Sequence, residues 1–193
     1  MLASRLVMGR VRAYLAVSLD GRLAGPGNDL AWLNDVDESV EETPGGVSYD
    51  DFTADVRVML MGRTTHDVVR AMPDVPWPYK DKCVHVATTR PLDPPGSGED
   101  VRAVKGSIAD LVRDARTAAG DGDVYVDGGD IVRQCINANL LDELILTTIP
   151  VIVGGGPRLF DDDAGSHKFR VTATSPHGRG FSQMTLVPTT KLK

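Results

Sequence analysis

Apolar residues along the chain fall into short Val-rich runs that alternate with longer stretches of helical spacing. Val11–Ser18 is rich in Val, Leu, Tyr and Ala and ends at Asp20-Gly21, a turn pair, which predicts a buried strand. Residues 25–46 carry Pro26, Gly27, Asn28, Pro44 and Gly45 and read as a loop, with room for a helical turn or two in the acidic middle, 29–42. A connection that long inside a compact domain is either a solvated loop or a lid or binding loop. Residues 49–54 predict a short helix, 56–61 a strand, and Thr64 or Thr65 caps a helix to about Ala71. Residues 72–82, with three prolines, form an irregular connection before a strand at Cys83–Ala87 and a loop at 91–98. Ser107 opens an amphipathic helix with Ile108, Leu111, Val112 and Ala115 on one face. A strand at 124–127 leads through Gly128-Gly129 into a helix ending at Ile136. Residues 144–153 predict a long strand bulged near Pro150, and 170–175 with 180–187 a hairpin joined by Pro-His-Gly-Arg.

Strands alternating with helices over two-thirds of the chain, then a hairpin, predict an α/β protein. The expected architecture is three-layer α/β/α, with a central mixed, mainly parallel sheet and a C-terminal antiparallel hairpin.

Composition narrows the function. A length of 193 residues fits one domain, expected over 11–188, with an extension at 1–10 (Met8 is a second possible start) and a tail at 189–193. The net charge of −6 argues against a nucleic-acid binder, although a few local arginines could hold one nucleotide. Cys83 and Cys135 sit in apolar stretches and read as reduced thiols. Arg5, Arg10 and Arg12 interrupt any export signal, and the run at 144–153 is too short to span a bilayer, so a cytoplasmic protein without a membrane partner is expected. The four histidines lack metal-ligand spacing, so no metal site is expected. Trp32 and Trp77 read as packing residues rather than substrate stackers.

Three strand ends share one design: Gly62-Arg63-Thr64-Thr65, Thr88-Thr89-Arg90 and Gly128-Gly129-Asp130. Unpaired N–H groups at a helix start carry partial positive charge, and glycine lets a phosphate approach the backbone. At the carboxyl ends of strands in an open α/β sheet, these segments predict a phosphate-rich ligand. Neither G-x-G-x-x-G nor G-x-x-x-x-G-K-[ST] is present, which disfavours ordinary Rossmann and P-loop domains.

In order and spacing, Ala16-Val17-Ser18-Leu19-Asp20-Gly21-Arg22-Leu23-Ala24, Met61-Gly62-Arg63-Thr64, Val126-Asp127-Gly128-Gly129 and Leu141-Asp142-Glu143-Leu144 resemble the dihydrofolate-reductase-like fold. The chain is similar in particular to the C-terminal reductase domain of bacterial riboflavin deaminase-reductases and its stand-alone relatives, from about residue 11 to 187. The resemblance implies an NADPH-dependent reductase, often a homodimer, working without metal or flavin. It implies that backbone around Ala16 meets the nicotinamide carboxamide, and that Asp20 through Leu23 and Ala24 cover its ribose. Gly62, Arg63 and Thr64 would bind the cofactor phosphates, and Thr88, Thr89 and Arg90 would surround the adenosine 2′-phosphate, with Arg63 and Arg90 reading it as guanidinium forks. Gly128, Gly129 and the helix from Asp130 would cradle the pyrophosphate, and Thr147 would line the substrate side. Asp127 matches the acidic residue before that family's glycines, and either faces the substrate or nicotinamide ribose or caps the next turn. Asp50, beside Asp51, lies where dihydrofolate reductases carry the acid that helps protonate the pterin.

Departures from the pattern matter too. Thr65-His66-Asp67-Val68 and Met72-Pro73-Asp74 replace a Thr…Asp-x-Pro segment, while Trp77-Pro78-Tyr79 fits the stand-alone branch. The implied reaction is hydride transfer to a small heterocyclic substrate, as in 5-amino-6-(5-phosphoribosylamino)uracil reductase. Alternatives are dihydrofolate-type reduction, a non-catalytic NADPH-binding protein, and a flavodoxin-like binder that would purify yellow.

Overall fold

Eight strands form one sheet in the computed structural model, which describes residues 9–34, 38–72, 76–161 and 164–191. They are β1 (Val11–Ser18), β2 (Val56–Gly62), β3 (Cys83–Ala87), β4 (Asp100–Val104), β5 (Asp123–Asp127), β6 (Glu143–Ile149), β7 (His167–His177) and β8 (Phe181–Lys191). The helices are α1 (Tyr49–Thr53), α2 (Arg63–Arg70), α3 (Ile108–Ala119) and α4 (Gly129–Asn137). Spatial order is β4-β3-β2-β5-β1-β6-β8-β7, parallel from β4 to β6 and antiparallel across β6/β8 and β8/β7. The fold is therefore a three-layer α/β/α arrangement with a mixed, mainly parallel sheet.

Both faces of the inner parallel strands are covered, so their sequences are near-continuous apolar runs rather than alternations. Leu15, Val58, Leu60, Val124 and Val126 pack against Leu111, Val112 and Ala115 of α3 and Ile131, Val132 and Cys135 of α4. On the opposite face Met59, Met61, Val84, Val86 and Tyr125 pack with Phe52 of α1 and with Trp77 and Tyr79. At the far end of the strands Arg12 bridges Asp123 at 3.2 Å and Glu143 at 2.7 Å, tying β1 to both neighbours.

The helix of 108–119 begins as its sequence predicts. Ser107 Oγ accepts from Asp110 N at 3.2 Å and donates to the Asp110 carboxylate. Ser107→Ala is expected to cost about 1 kcal/mol, read as a lowered midpoint in thermal or urea unfolding.

Four sequence expectations change. The edge strand β4 is unanticipated, because Asp100 and Arg102 are exposed and its valines are only half-buried. The predicted strand at 144–153 stops at Ile149: the Val153 and Gly154 N–H groups donate to Asp20 instead of to a neighbouring strand. Since β6 lies between β1 and β8, it offers no sheet edge. Neither threonine caps α2, whose N-cap is Gly62, two residues before Thr64, without a side-chain cap. In the closing hairpin Pro176 and His177 pair with Ser182 and Phe181, which leaves Gly178, Arg179 and Gly180 as the turn. No helix among the described residues is long and apolar enough to cross a membrane.

Candidate functional site

A cavity of about 850 Å³ runs along the carboxyl ends of β4, β3, β2, β5 and β1. Its middle is built by the starts of α2 and α4, which sit side by side on adjacent strands β2 and β5. Both open on glycine, Gly62 and Gly128, and neither has a side-chain cap. Gly128 has φ +87°, a region that L side chains rarely adopt, and a Cβ there would lie 2.4 Å from Thr65 Oγ1. At Gly129 a Cβ would come within 2.6 Å of Leu23 Cδ1 and 3.2 Å of Arg133 Nη1. Two helix ends with first-turn N–H groups thus flank a stretch that glycine leaves free of side chains. That combination suits a pyrophosphate.

Beyond this cradle, toward β1, the lining becomes aromatic and apolar, with Tyr14, Ala16, Leu30, Leu33, Val69 and Tyr79. Asp127 enters from the end of β5, half-buried, with Gly128 N donating to Oδ1 at 2.7 Å. Burial raises its carboxyl to about 6, against the partial relief of that N–H bond. Burial also lifts the Tyr79 phenol, and Asp127 lifts it further, so Tyr79 keeps its proton well above neutrality. A carboxyl that changes charge near neutral pH, beside an aromatic slot, is equipped to give or take a proton.

Thirteen of the residues named from sequence line this one cavity: Ala16, Leu23, Ala24, Gly62, Arg63, Thr64, Thr65, Thr88, Thr89, Asp127, Gly128, Gly129 and Asp130. Four do not. Asp20 is drawn into a clasp, accepting from Ser18 Oγ at 2.6 Å and from Val153 N and Gly154 N at 3.0 Å each. Those bonds, Ser18 first, hold its carboxyl well below the ordinary value. Beside it, Arg22 donates to Gly156 O, so residues 151–156 are fastened to the segment that walls the cavity. Thr147 pairs in register with Ala16, but its buried hydroxyl accepts from Gln183 Nε2 at 3.2 Å, away from the cavity lining. Asp50 is exposed in α1. Arg90 is exposed and outside the lining, and its backbone N–H donates to Thr88 Oγ1 at 3.0 Å.

Trp32 and Trp77 are buried and take no part in the lining, as their reading as packing residues anticipated. Sequence reasoning missed Tyr14, Lys105, Arg133 and Arg158 among the lining residues. Of these, Arg133 had a local signal, standing one helical turn beyond Gly129.

Sheet order, paired glycine starts and the cavity along the strand ends define a dihydrofolate-reductase-like fold. The structure of dihydrofolate reductase from Enterococcus faecalis, complexed with NADP(H) and RAB-propyl, aligns with a TM-score of 0.57 and 17% identity, covering 95% of this chain and 98% of that one. Within that fold, the chain belongs to the RibD C-terminal domain family, which it matches over residues 10–182. A protein from Shewanella sp. PV-4, described as a riboflavin biosynthesis protein, is 30% identical with a TM-score of 0.77, covering 94% of this chain and 99% of that one. The diaminohydroxyphosphoribosylaminopyrimidine deaminase/5-amino-6-(5-phosphoribosylamino)uracil reductase of Thermotoga maritima aligns with a TM-score of 0.63 at 14% identity. This chain spans 57% of that longer one.

Proposed function

We propose that the chain is an NADPH-dependent reductase acting on a small heterocycle of the aminopyrimidine type. The observation that carries this reading is the pair of uncapped, glycine-started helices opening on one cavity whose next wall holds Asp127 and Tyr79. Family membership supports it, as do the reductase activity named for the Thermotoga protein and the NADP(H) named for the Enterococcus structure. When bound, the dinucleotide supplies a hydride from its nicotinamide ring.

The chain's own residues do the rest. Gly62, Gly128 and Gly129 would let the phosphates reach the helix ends, leaving the Ala16 end of the cavity for the nicotinamide half. Leu30, Leu33 and Val69 would exclude water from that end and offer an apolar surface to an acceptor ring. Asp127, neutral below about pH 6, donates the proton that balances hydride addition, and Tyr79 helps to orient the acceptor.

Absorbance of NADPH incubated with the protein and a panel of ribosylaminopyrimidine phosphates, dihydrofolate and small carbonyl compounds tests the reading. Oxidation with one class of acceptor is expected. Failure to bind either nicotinamide dinucleotide would sink the proposal. Tight binding without turnover across the panel would favour the non-catalytic alternative.

A further inference from the structure

We infer that the acceptor end of the cavity takes an uncharged planar ring and selects against any acceptor that carries a phosphate. The inference rests on the proposed reductase reading, which makes this end the place of the acceptor. Among the described residues, the cationic side chains that line the cavity all stand away from it. Arg63 gives its Nε to the Asp67 carboxylate at 2.6 Å and its Nη1 to Pro91 O at 2.8 Å. Lys105 follows β4, three strands from β5, or roughly 14 Å at about 4.8 Å per strand. Arg133 belongs to α4, which packs on the opposite face of the sheet from Tyr14 and Tyr79, and it pairs with Asp161 at 3.3 Å. Arg158 is on that same side, its carbonyl accepting from Arg133 Nη1 at 3.1 Å. Cations near the slot but outside its lining are engaged or turned to solvent. Arg70 pairs with Glu99 and stacks over Trp77 at 3.9 Å, Lys82 donates to Thr53 O at 3.2 Å, and Lys80 is exposed. Residues 35–37 and 73–75 read Asp-Val-Asp and Pro-Asp-Val and add no cation.

The polar side chains at this end are already bonded to one another. Tyr14 OH donates to Val47 O at 3.0 Å and accepts from Gln183 Nε2 at 3.3 Å. The same Gln183 amide serves Thr147 Oγ1 and Val47 O at 3.2 Å each, while its Oε1 accepts from Val47 N at 2.7 Å. The Tyr79 hydroxyl donates to Tyr49. What is left to meet a ligand is one acid, Asp127, and walls of carbon from Leu30, Leu33, Val69 and Met72. The local field is negative as well: burial first, then the charges of Asp127, Asp50 and Asp81, pushes the Tyr49 phenol up to about 12. A phosphate brought here would shed its water without a cation or a free side-chain donor to replace it, and would face a carboxylate. An uncharged ring loses little water and gains stacking and apolar contact. The Thermotoga protein is named for a phosphoribosyl compound, and this slot is built for the ring without that group.

Three matched probes share one ring: 5,6-diaminouracil, 5-amino-6-(ribosylamino)uracil and 5-amino-6-(5-phosphoribosylamino)uracil. Each is titrated by calorimetry into the protein with and without NADP+, and each is offered as an acceptor for NADPH oxidation. The two uncharged probes are expected to bind, and the phosphorylated one about tenfold or more weakly. Met72→Lys places an ammonium on the slot wall with little change in shape, just past the C-terminus of α2, where a cation is tolerated. It should strengthen the phosphorylated probe by about tenfold and leave the free base as it was. A phosphorylated probe that binds wild type as tightly as the others, or more tightly, overturns the inference. Its oxidation of NADPH would then leave the reductase reading standing. Binding of none of the three also overturns it, as does an unchanged order in folded Met72→Lys, which would put the ring elsewhere. The expected order in a protein that binds no dinucleotide would sink the reductase reading alone.

Discussion

Asp127→Asn is expected to lower turnover by about 10²- to 10⁴-fold, the usual loss when a positioned acid is removed. Dinucleotide affinity should change little, since an asparagine Oδ1 can still accept from Gly128 N. In wild type the acid must carry its proton, and burial sets its carboxyl near 6. Turnover should therefore be flat below about pH 6 and fall tenfold per unit above it, whereas the variant's residual rate should lack that limb. Stability supplies a readout independent of substrate. The folded carboxyl lies above its ordinary 3.8, so its contribution is fully present below that value and is lost as pH rises through about 6. The melting temperature of Asp127→Asn relative to wild type should rise across this window and level off beyond it. A difference that does not change with pH would return Asp127 to the role of a turn cap.

Gly129→Val is expected to weaken NADPH and NADH alike by about a hundredfold, the loss of two phosphate contacts at ~1.5 kcal/mol each. Its Cβ would press on the ends of Leu23 and Arg133, both flexible, so the fold should survive while the added methyls take the phosphate's space. Calorimetric titration with both dinucleotides, alongside a far-ultraviolet spectrum and a melting curve, reads the two effects separately. Unaltered affinity in a folded variant would remove the pyrophosphate from this cradle.

The strands that sequence located best, β1 and β3, are Val-rich runs with turn residues at their ends, a signal that depends only on neighbours in the chain. Likewise the glycine pairs announced the cradle, because close backbone approach demands glycine whatever surrounds it. What could not be read depended on residues far away. Asp20 looks like a ligand beside a turn, yet its carboxylate is claimed by Val153 and Gly154, more than a hundred residues on. Thr147 lies beside the cavity in register, but Gln183 of β8 takes its hydroxyl. Arg90, by contrast, lies in a local turn with Thr88, exposed and outside the cavity lining. Lys105 escaped notice because β4, an edge strand with charged residues, lacks the apolar run that marked the others.

The position of β1 also shapes how the protein is made. It is synthesised first, yet its partners on either side are β5 and β6, which begin at Asp123 and Glu143. Only β2, β3 and β4 can pair with one another before β5 leaves the ribosome. At about 5–20 residues per second, the stretch between Ser18 and Glu143 takes roughly 6–25 s to translate. Throughout that time an apolar strand waits with both edges open, the condition under which nascent chains aggregate or recruit chaperones. Ribosome-bound chains ending before Glu143 should therefore be protease-sensitive along β1, and chains extending past β8 should be protected there.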